Sequence, residues 1–353
     1  MNLKSAGKLL KWYEENARSL PWREDKDPYH IWVSEIMLQQ TRIETVIPYY
    51  KRFLEKYPSV SALAGADEDE LIRIWEGLGY YSRVRNMHKA AMDVVNLHGG
   101  CFPLSYEVLL TLPGIGEYTA GAVASIAGGE KVPAVDGNVL RVYTRLHADD
   151  GNISKAATKE RIKQDLCRTL EKGDFSAGDF NSAMMELGEV ICLPNGMPLC
   201  ASCPFLNECR AAGENTVSDY PVKDAKSARR IEERTVFLLK SGEGIAIRKR
   251  KPRGLLAGMY EFPSVSGALG KKEALSEVRK MGYHPLKIEA LEDSVHVFSH
   301  LEWHMKAYLI VVDGIADPGK KDDSNGLIYV TKEERRNGYA LPEAFRAYKK
   351  YIE

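Results

Sequence analysis

The sequence predicts a multi-domain protein, an all-α domain followed by an α+β domain. Three observations predict it. Apolar residues recur at helical spacing through residues 1–220 with no clear alternating strand among them. Four cysteines, Cys192, Cys200, Cys203 and Cys209, close that stretch within 18 residues. Strand-like runs begin only after a polar, charged segment. The 353 residues suit two or three domains at roughly 150 residues each. A composition of 44% apolar and 28% charged residues excludes disordered, collagen-like and disulfide-scaffold classes. No apolar run approaches the ~20 residues of a membrane helix. Charges at Lys4, Lys8, Lys11, Glu14, Glu15 and Arg18 break up any secretory core. A monomeric, cytoplasmic protein is therefore expected. With 49 basic and 49 acidic residues the net charge is zero, so nucleic-acid binding must be argued from local features.

The elements follow in order. Leu9, Leu10 and Tyr13 give residues 3–17 near-helical spacing. Residues 29–40 and 43–56 form the next two helices. Asp67 with Glu70 three residues on reads as a capping box before Leu71, Ile72 and Trp75. Ser82 caps a helix that runs to Leu97 and stops at Gly99-Gly100. Helices over 118–127, 138–145, 155–170 and 180–191 complete a helical domain of residues 1–220. A linker spans 221–233, where Pro221 and charges dominate. The second domain, 234–353, opens with strands over 235–239 and 245–248 around Ser241-Gly242-Glu243-Gly244. It continues with helices over 271–280 and 342–351 and strands within 294–312 and over 327–330.

Several strings carry chemistry. A short helix over 106–111 leads into Leu112-Pro113-Gly114-Ile115-Gly116-Glu117-Tyr118, then a helix of small residues. Gly114 and Gly116 allow unusual dihedrals and close approach, and the free N–H groups at the second helix start suit a phosphate. This is a helix-hairpin-helix pattern over about 106–127, which grips a DNA backbone without reading sequence. Asp136, twenty residues on, is by itself an N-cap; after the hairpin it is placed to stabilise developing positive charge on a sugar. Glu35 is a lone carboxylate in Trp32-Val33-Ser34-Glu35-Ile36-Met37-Leu38. Its apolar neighbours three and four residues away raise its pKa and make it a usable general acid, although an isolated glutamate is more often an inert helix-edge residue. The cysteines, as a thiolate cluster in a cytoplasmic protein, imply iron–sulfur or zinc; spacing alone does not choose, and the absence of histidine among them leans to iron–sulfur. Arg248-Lys249-Arg250-Lys251-Pro252-Arg253 holds five cations in six positions, a solvated strand end or a phosphate contact.

Together, Leu20-Pro21-Trp22-Arg23, the run from Trp32 to Thr41, Gly77-Leu78-Gly79-Tyr80-Tyr81-Ser82, residues 112–124 and 135–141 and the four cysteines resemble one family. It is the MutY family of adenine-specific enzymes, within the helix-hairpin-helix DNA glycosylases that hold a [4Fe–4S] cluster. The resemblance covers nearly the whole chain. Tyr118 stands where the related endonuclease III-like enzymes have a lysine; it cannot form a Schiff base, so base removal without strand cleavage is implied. The second domain resembles a nudix fold through Gly254-Leu255-Leu256-Ala257-Gly258-Met259-Tyr260-Glu261-Phe262-Pro263. Its helix over 271–280 lacks the glutamate pattern that holds magnesium, which implies recognition without pyrophosphatase activity.

The resemblance assigns roles. Glu35 protonates N7 of an adenine flipped out of an A:8-oxoguanine or A:G mispair, and Asp136 stabilises the oxocarbenium-like sugar. Tyr118 and Asn138 orient them, and Arg18 and Trp22 line the adenine pocket. Gln40, Thr41, Leu78 and Tyr80 fill the disturbed stack, and Phe298-Ser299-His300 reads the lesion. A hydroxyl at Ser299 can accept from N7–H of 8-oxoguanine, where guanine offers only an acceptor. Two departures stand out. Seven residues separate Cys192 from Cys200 where the family has six, and Ser182 replaces a glutamine or glutamate, implying a weaker hold on adenine. Competing readings are a glycosylase/lyase acting on oxidised pyrimidines, a catalytically silent iron–sulfur DNA-binding protein, and a nucleotide pyrophosphatase.

Overall fold

The computed structural model describes residues 1–225, 228–251, 253–313, 321–322 and 326–352. Pro252 of the basic run and residues 226–227 of the expected linker lie outside them. The chain forms two compact units, Met1–Ala66 with Asn86–Ala225, and Asp67–Arg85 with Lys226–Glu353. The sequence places residues 67–85 in the helical domain; here they group with the second unit, and acidic side chains among them pair within it. The Glu76 carboxylate takes Arg335 and Lys349 at 3.0 Å each, and Asp69 takes Lys249 at 2.6 Å.

The helices in chain order are α1 Leu3–Asn16, α2 Pro28–Leu38, α3 Ile43–Lys56, α4 Val60–Ala64, α5 Glu68–Ile74, α6 Ser82–His98, α7 Tyr106–Leu109, α8 Glu117–Ile126, α9 Gly137–His147, α10 Ala156–Lys172, α11 Ala177–Val190 and α12 Arg210–Gly213. Their starts follow local chemistry. Asp27 caps α2 with Pro28 at its first position, where a missing N–H costs nothing. Asp67 accepts from the Glu70 amide at 2.9 Å, and Asp136 caps α9. Leu9, Leu140, Leu166, Phe180 and Leu187, from α1, α9, α10 and α11, share one core, and Cys192, Cys203 and Cys209 pack against it. Helix α2 is buried nearly all round, Ile31 to Met37 included, so Glu35 has no solvent face to use. It packs on α8, where a Cβ on Gly121 would come 2.5 Å from the Pro133 carbonyl; only glycine allows that approach.

In the second unit the strands are β1 Arg230–Ser241, β2 Gly244–Lys249, β3 Tyr260–Glu261, β4 Ser264–Ser266, β5 His284–Ala290, β6 Ser294–Val297, β7 Leu301–Asp313, β8 Lys321–Asp322 and β9 Leu327–Val330. They form one mixed sheet of order β5-β7-β1-β2-β9-β8, with β3 on β2, β4 on β1 and β6 on β7. Only the β1–β7 pairing is parallel among those described. Alternation sorts the two faces. Val236, Leu238, Trp303 and Met305 face one core with Phe345 and Tyr348; Phe237, Leu239, Tyr308 and Ile310 face the other, covered by α13 Lys271–Lys280 through Ala274 and Val278. The helices α14 Lys332–Gly338 and α15 Arg346–Lys349 complete the unit. The helix expected over 342–351 is broken: a 3-10 turn, Glu343–Phe345, precedes α15, letting both Phe345 and Tyr348 reach the core.

Candidate active site

A cavity of about 580 Å³ in the first unit gathers much of the expected site: Arg18, Trp22, Glu35, Tyr118, Asp136 and Asn138, with Gln40 and Thr41 at the end of α2. Four different segments supply these side chains. Glu35, 6% exposed, accepts a short 2.5 Å hydrogen bond from the Tyr118 hydroxyl. That hydroxyl also lies 3.2 Å from Met185 Sδ. Burial pushes the Glu35 carboxyl up to about 7; the negative charge of Asp136 adds to this, while Tyr118 and the cationic Arg23 oppose it. The acid is therefore half protonated near neutral pH. Tyr118 itself is raised well above its ordinary value, by burial first and by the Glu35 and Asp136 charges next, so it remains a donor.

Burial acts on Asp136 as well, but its partners differ. Its two oxygens accept from the Val139 amide at 2.8 Å and from Asn138 Nδ2 at 2.9 Å. Burial raises its pKa above the ordinary carboxylate value, and these bonds and the Arg141 charge offset only part of that rise. Both partners are donors, which suits a carboxylate that can only accept. The orientation of Asn138 is itself fixed. Arg141 Nη2, a pure donor, holds Asn138 Oδ1 at 2.7 Å, which leaves Nδ2 for Asp136. Arg141 is anchored in turn by the carbonyls of Gly188 at 2.8 Å and Cys192 at 2.7 Å.

Arg18 lines the cavity, but its guanidinium is already gripped by Glu186 at 2.6 and 2.9 Å, with Arg23 on the same carboxylate at 2.9 Å. Glu186 is buried and its pKa is nonetheless lowered, because two arginines outweigh desolvation. The sequence reading missed it. The available signal was the one used for Glu35, a single carboxylate in an apolar helix, here Met184-Met185-Glu186-Leu187. Trp22 is buried against the Tyr50 ring, edge-on at 5.5 Å between centroids. Ser182 lies in the same cavity, and its hydroxyl interacts with the Tyr13 phenol.

The hairpin has the expected form. Gly114 sits at φ +78°, where a side chain would be strained and a Cβ would meet Asn86 Cβ at 2.6 Å. Gly116 begins α8 with no side-chain cap, so the first amides of the helix are left for an anion. Gln40 is exposed at the end of α2, with Thr41 half-buried beside it. Leu78 and Tyr80 belong to the second unit. Leu78 is buried and Tyr80 is 45% exposed, with Arg83 stacked on the Tyr80 ring at 5.5 Å and bonded to the Leu78 and Gly79 carbonyls. The strands expected within 294–312 are β6 and β7, paired as a hairpin with Phe298, Ser299 and His300 at its turn. The Phe298 amide bonds the Leu301 carbonyl at 2.8 Å, and its ring meets Trp303 edge-on. The turn leaves Ser299 and His300 exposed.

The cysteines converge. Burial first, then the charges of Cys192, Cys209 and Cys200, push the Cys203 thiol up to about 12. Arg145 Nη1 approaches Cys192 Sγ at 3.3 Å and its carbonyl accepts from Cys209 Sγ at 3.3 Å. Among the described residues no group of three or more histidine, cysteine, aspartate or glutamate side chains is arranged to hold a metal ion. No described helix is long and apolar enough to cross a membrane.

Comparison with known proteins agrees with this anatomy. Residues 33–168 match the HhH-GPD superfamily of base excision DNA repair proteins, and residues 235–351 match the NUDIX domain. Adenine DNA glycosylase of Arabidopsis thaliana is 36% identical over 86% of this chain, which spans 56% of that protein's length. Adenine DNA glycosylase of Rattus norvegicus is 34% identical over 97% of this chain and 77% of its own. A thermostable thymine-DNA glycosylase structure superposes at a TM-score of 0.53 with 30% identity, over 59% of this chain and 95% of its own. With a helix-hairpin-helix repair domain, a nudix-like sheet and this extent of shared sequence, the chain belongs to the adenine DNA glycosylase family.

Proposed function

We propose that the protein excises adenine paired with 8-oxoguanine, or with guanine, from duplex DNA, as a glycosylase with no strand-cleaving step. The observation that carries the reading is the division between two buried carboxyls, Glu35 poised at about 7 and Asp136 surrounded by donors. With adenine flipped into the cavity, Glu35 donates its proton to N7. The C1′–N9 bond then breaks, its electron pair leaving with the base. Asp136 stabilises the positive sugar that remains. The Glu35 carboxylate takes a proton from water, whose oxygen bonds C1′ from the solvent side of the pocket. Tyr118 steadies Glu35 throughout, and Asn138 steadies Asp136. The free amides after Gly116 hold a backbone phosphate, Gln40, Thr41, Leu78 and Tyr80 support the opened stack, and the Phe298-Ser299-His300 turn reads the oxidised guanine.

The test is single-turnover reaction of an end-labelled duplex containing adenine opposite 8-oxoguanine, each time point divided between hot alkali and buffer. Breaks after alkali alone are expected. Breaks without alkali would instead show a lyase and remove the role given to Tyr118. The rate has a predicted pH profile. The acid must be protonated, so activity is highest below the Glu35 value and falls as pH rises through about 7. Between pH 6 and pH 8 the protonated fraction drops about tenfold. A profile flat across that window would exclude Glu35 as the proton donor.

The same reading assigns a [4Fe–4S] cluster to Cys192, Cys200, Cys203 and Cys209. Four cysteines with no histidine among them, three of which (Cys192, Cys203 and Cys209) pack on the helical core, support that reading. When bound, it would supply positive charge and a cross-link between the chain after α11 and α12. Protein purified without added metal should be brown and absorb near ~400 nm, as iron–sulfur thiolate centres do and d¹⁰ zinc does not. Cys203→Ser should lose that absorbance and unfold at lower temperature. A colourless wild-type protein holding one equivalent of zinc would overturn the assignment.

A further inference from the structure

Glu186, on α11, has a side chain only 1% exposed and is the most deeply buried carboxylate lining the cavity of Glu35 and Asp136. Each of its oxygens accepts two hydrogen bonds. Oε1 takes Arg18 Nε at 2.6 Å and the Arg18 amide at 3.2 Å. Oε2 takes Arg18 Nη2 and Arg23 Nη2, both at 2.9 Å. Arg23 has two further holds. Its Nη1 donates to the Arg18 carbonyl at 3.0 Å, and its guanidinium lies 5.5 Å from the centre of the Tyr13 ring. A planar fork gripped by a carboxylate, a carbonyl and a ring face has little freedom to move.

Arg23 is also the cation that reaches the acid. The charged and titratable groups acting on Glu35 come from three elements: Tyr118 from α8, Asp136 from the start of α9, and Arg23 from the 3-10 turn Pro21–Arg23. Asp25, Lys26, Asp179 and Glu189 line the same cavity. Two arginines share the one Glu186 carboxylate, which leaves a single positive charge uncompensated. Without that carboxylate both guanidiniums would stand bare in the cavity, and two effects would follow. Positive charge favours the ionised form of Glu35, so the acid would lose its proton at lower pH. The base becomes a cation once N7 is protonated, and bare guanidiniums repel it.

We propose that Glu186 is a positioning residue for adenine release: it fixes Arg23 beside the acid and supplies the countercharge that keeps Glu35 a proton donor at neutral pH. The inference rests on the reading of Glu35 as the acid. Arg18 is the other half of the balance. By drawing on the same carboxylate it leaves Arg23 part of its charge, and that charge opposes the rise that burial imposes on Glu35.

The test titrates Glu35 directly, by carbon-13 NMR of the full-length protein labelled at glutamate Cδ, the signal being assigned by its loss in Glu35→Gln. No substrate is needed for that readout. The pH profile of single-turnover adenine release opposite 8-oxoguanine is recorded beside it. Glu186→Gln keeps the shape and removes the charge. Its Glu35 titration and descending limb should both move to lower pH by at least about 0.5 unit, a fraction of the 1–3 units that a contacting charge produces. Glu186→Asp keeps the charge, and its midpoint should stay near 7 even where the rate falls. Arg18→Gln leaves Arg23 paired with Glu186, so no buried charge is stranded should Glu186→Gln fail to fold; here both midpoints should move to higher pH. Midpoints that stay near 7 in Arg18→Gln, and in Glu186→Gln where it folds, overturn the countercharge and leave Glu186 a structural tie. A wild-type protein that releases no adenine would count against the excision reading, while the shifts in the NMR titration would still decide the role of Glu186.

Discussion

Glu35→Gln is expected to lower the single-turnover rate of adenine release by about 10²–10⁴-fold, the usual contribution of a positioned acid. It should also make the protein more stable in alkali. Both effects come from one fact, that α2 is buried on the face carrying Glu35. The group is raised from an ordinary 4.5 to about 7. Below the unfolded value both states are protonated and Glu35 costs nothing. As pH rises through about 7 the native state must ionise a buried carboxyl while the unfolded chain has already done so in water. The native protein therefore loses about 3 kcal/mol between those values and stays at that deficit above them. Glutamine keeps an oxygen for the Tyr118 hydroxyl and has no proton to lose. Urea unfolding should show the variant and the wild type equal at pH 4 and the variant ahead by about 2–3 kcal/mol at pH 9. Full activity in the variant would remove Glu35 as the acid. Equal stability at both pH values, with activity lost, would mean that Glu35 is ionised throughout and acts by its charge.

How much of this was legible in the sequence depends on the range of the interaction involved. Helix positions follow from periodicity and caps, both local, so the helices around Glu35 and Asp136 lie where the spacing places them. The buried acid was legible too, because residues three and four positions away on one helix set its surroundings. Glu186 was not. Its carboxylate is defined by Arg18 and Arg23, more than 160 residues away, and nothing near it in sequence shows that pairing. Arg141 hides for the same reason: its hold on the Cys192 and Gly188 carbonyls is tertiary. Asp69 and Glu76 likewise find their partners far along the chain, at Lys249, Arg335 and Lys349. The turn at Phe298, Ser299 and His300 is likewise set by a partner strand, through the antiparallel pairing of β6 with β7.

Asp136→Asn removes the charge and keeps the cap. Asparagine is as good an N-cap as aspartate, so the bond to the Val139 amide and the start of α9 survive, but its Nδ2 meets the Asn138 Nδ2 donor that Arg141 holds in place, at a cost of about 1–3 kcal/mol. The negative charge facing the sugar is lost, and adenine release should slow by about 10²–10³-fold, the range for removing one preorganised electrostatic contact. The pH profile supplies a second readout. The Asp136 charge disfavours ionisation of Glu35, so its removal lets the Glu35 pKa fall. The residual activity should then be lost at lower pH than in the wild type, with the descending limb moved towards acid. A merely structural role for Asp136 predicts lower stability with the limb still centred near 7. If the limb stays put, the two carboxyls do not sense each other, and the acid and the stabilising charge must be sought in different residues.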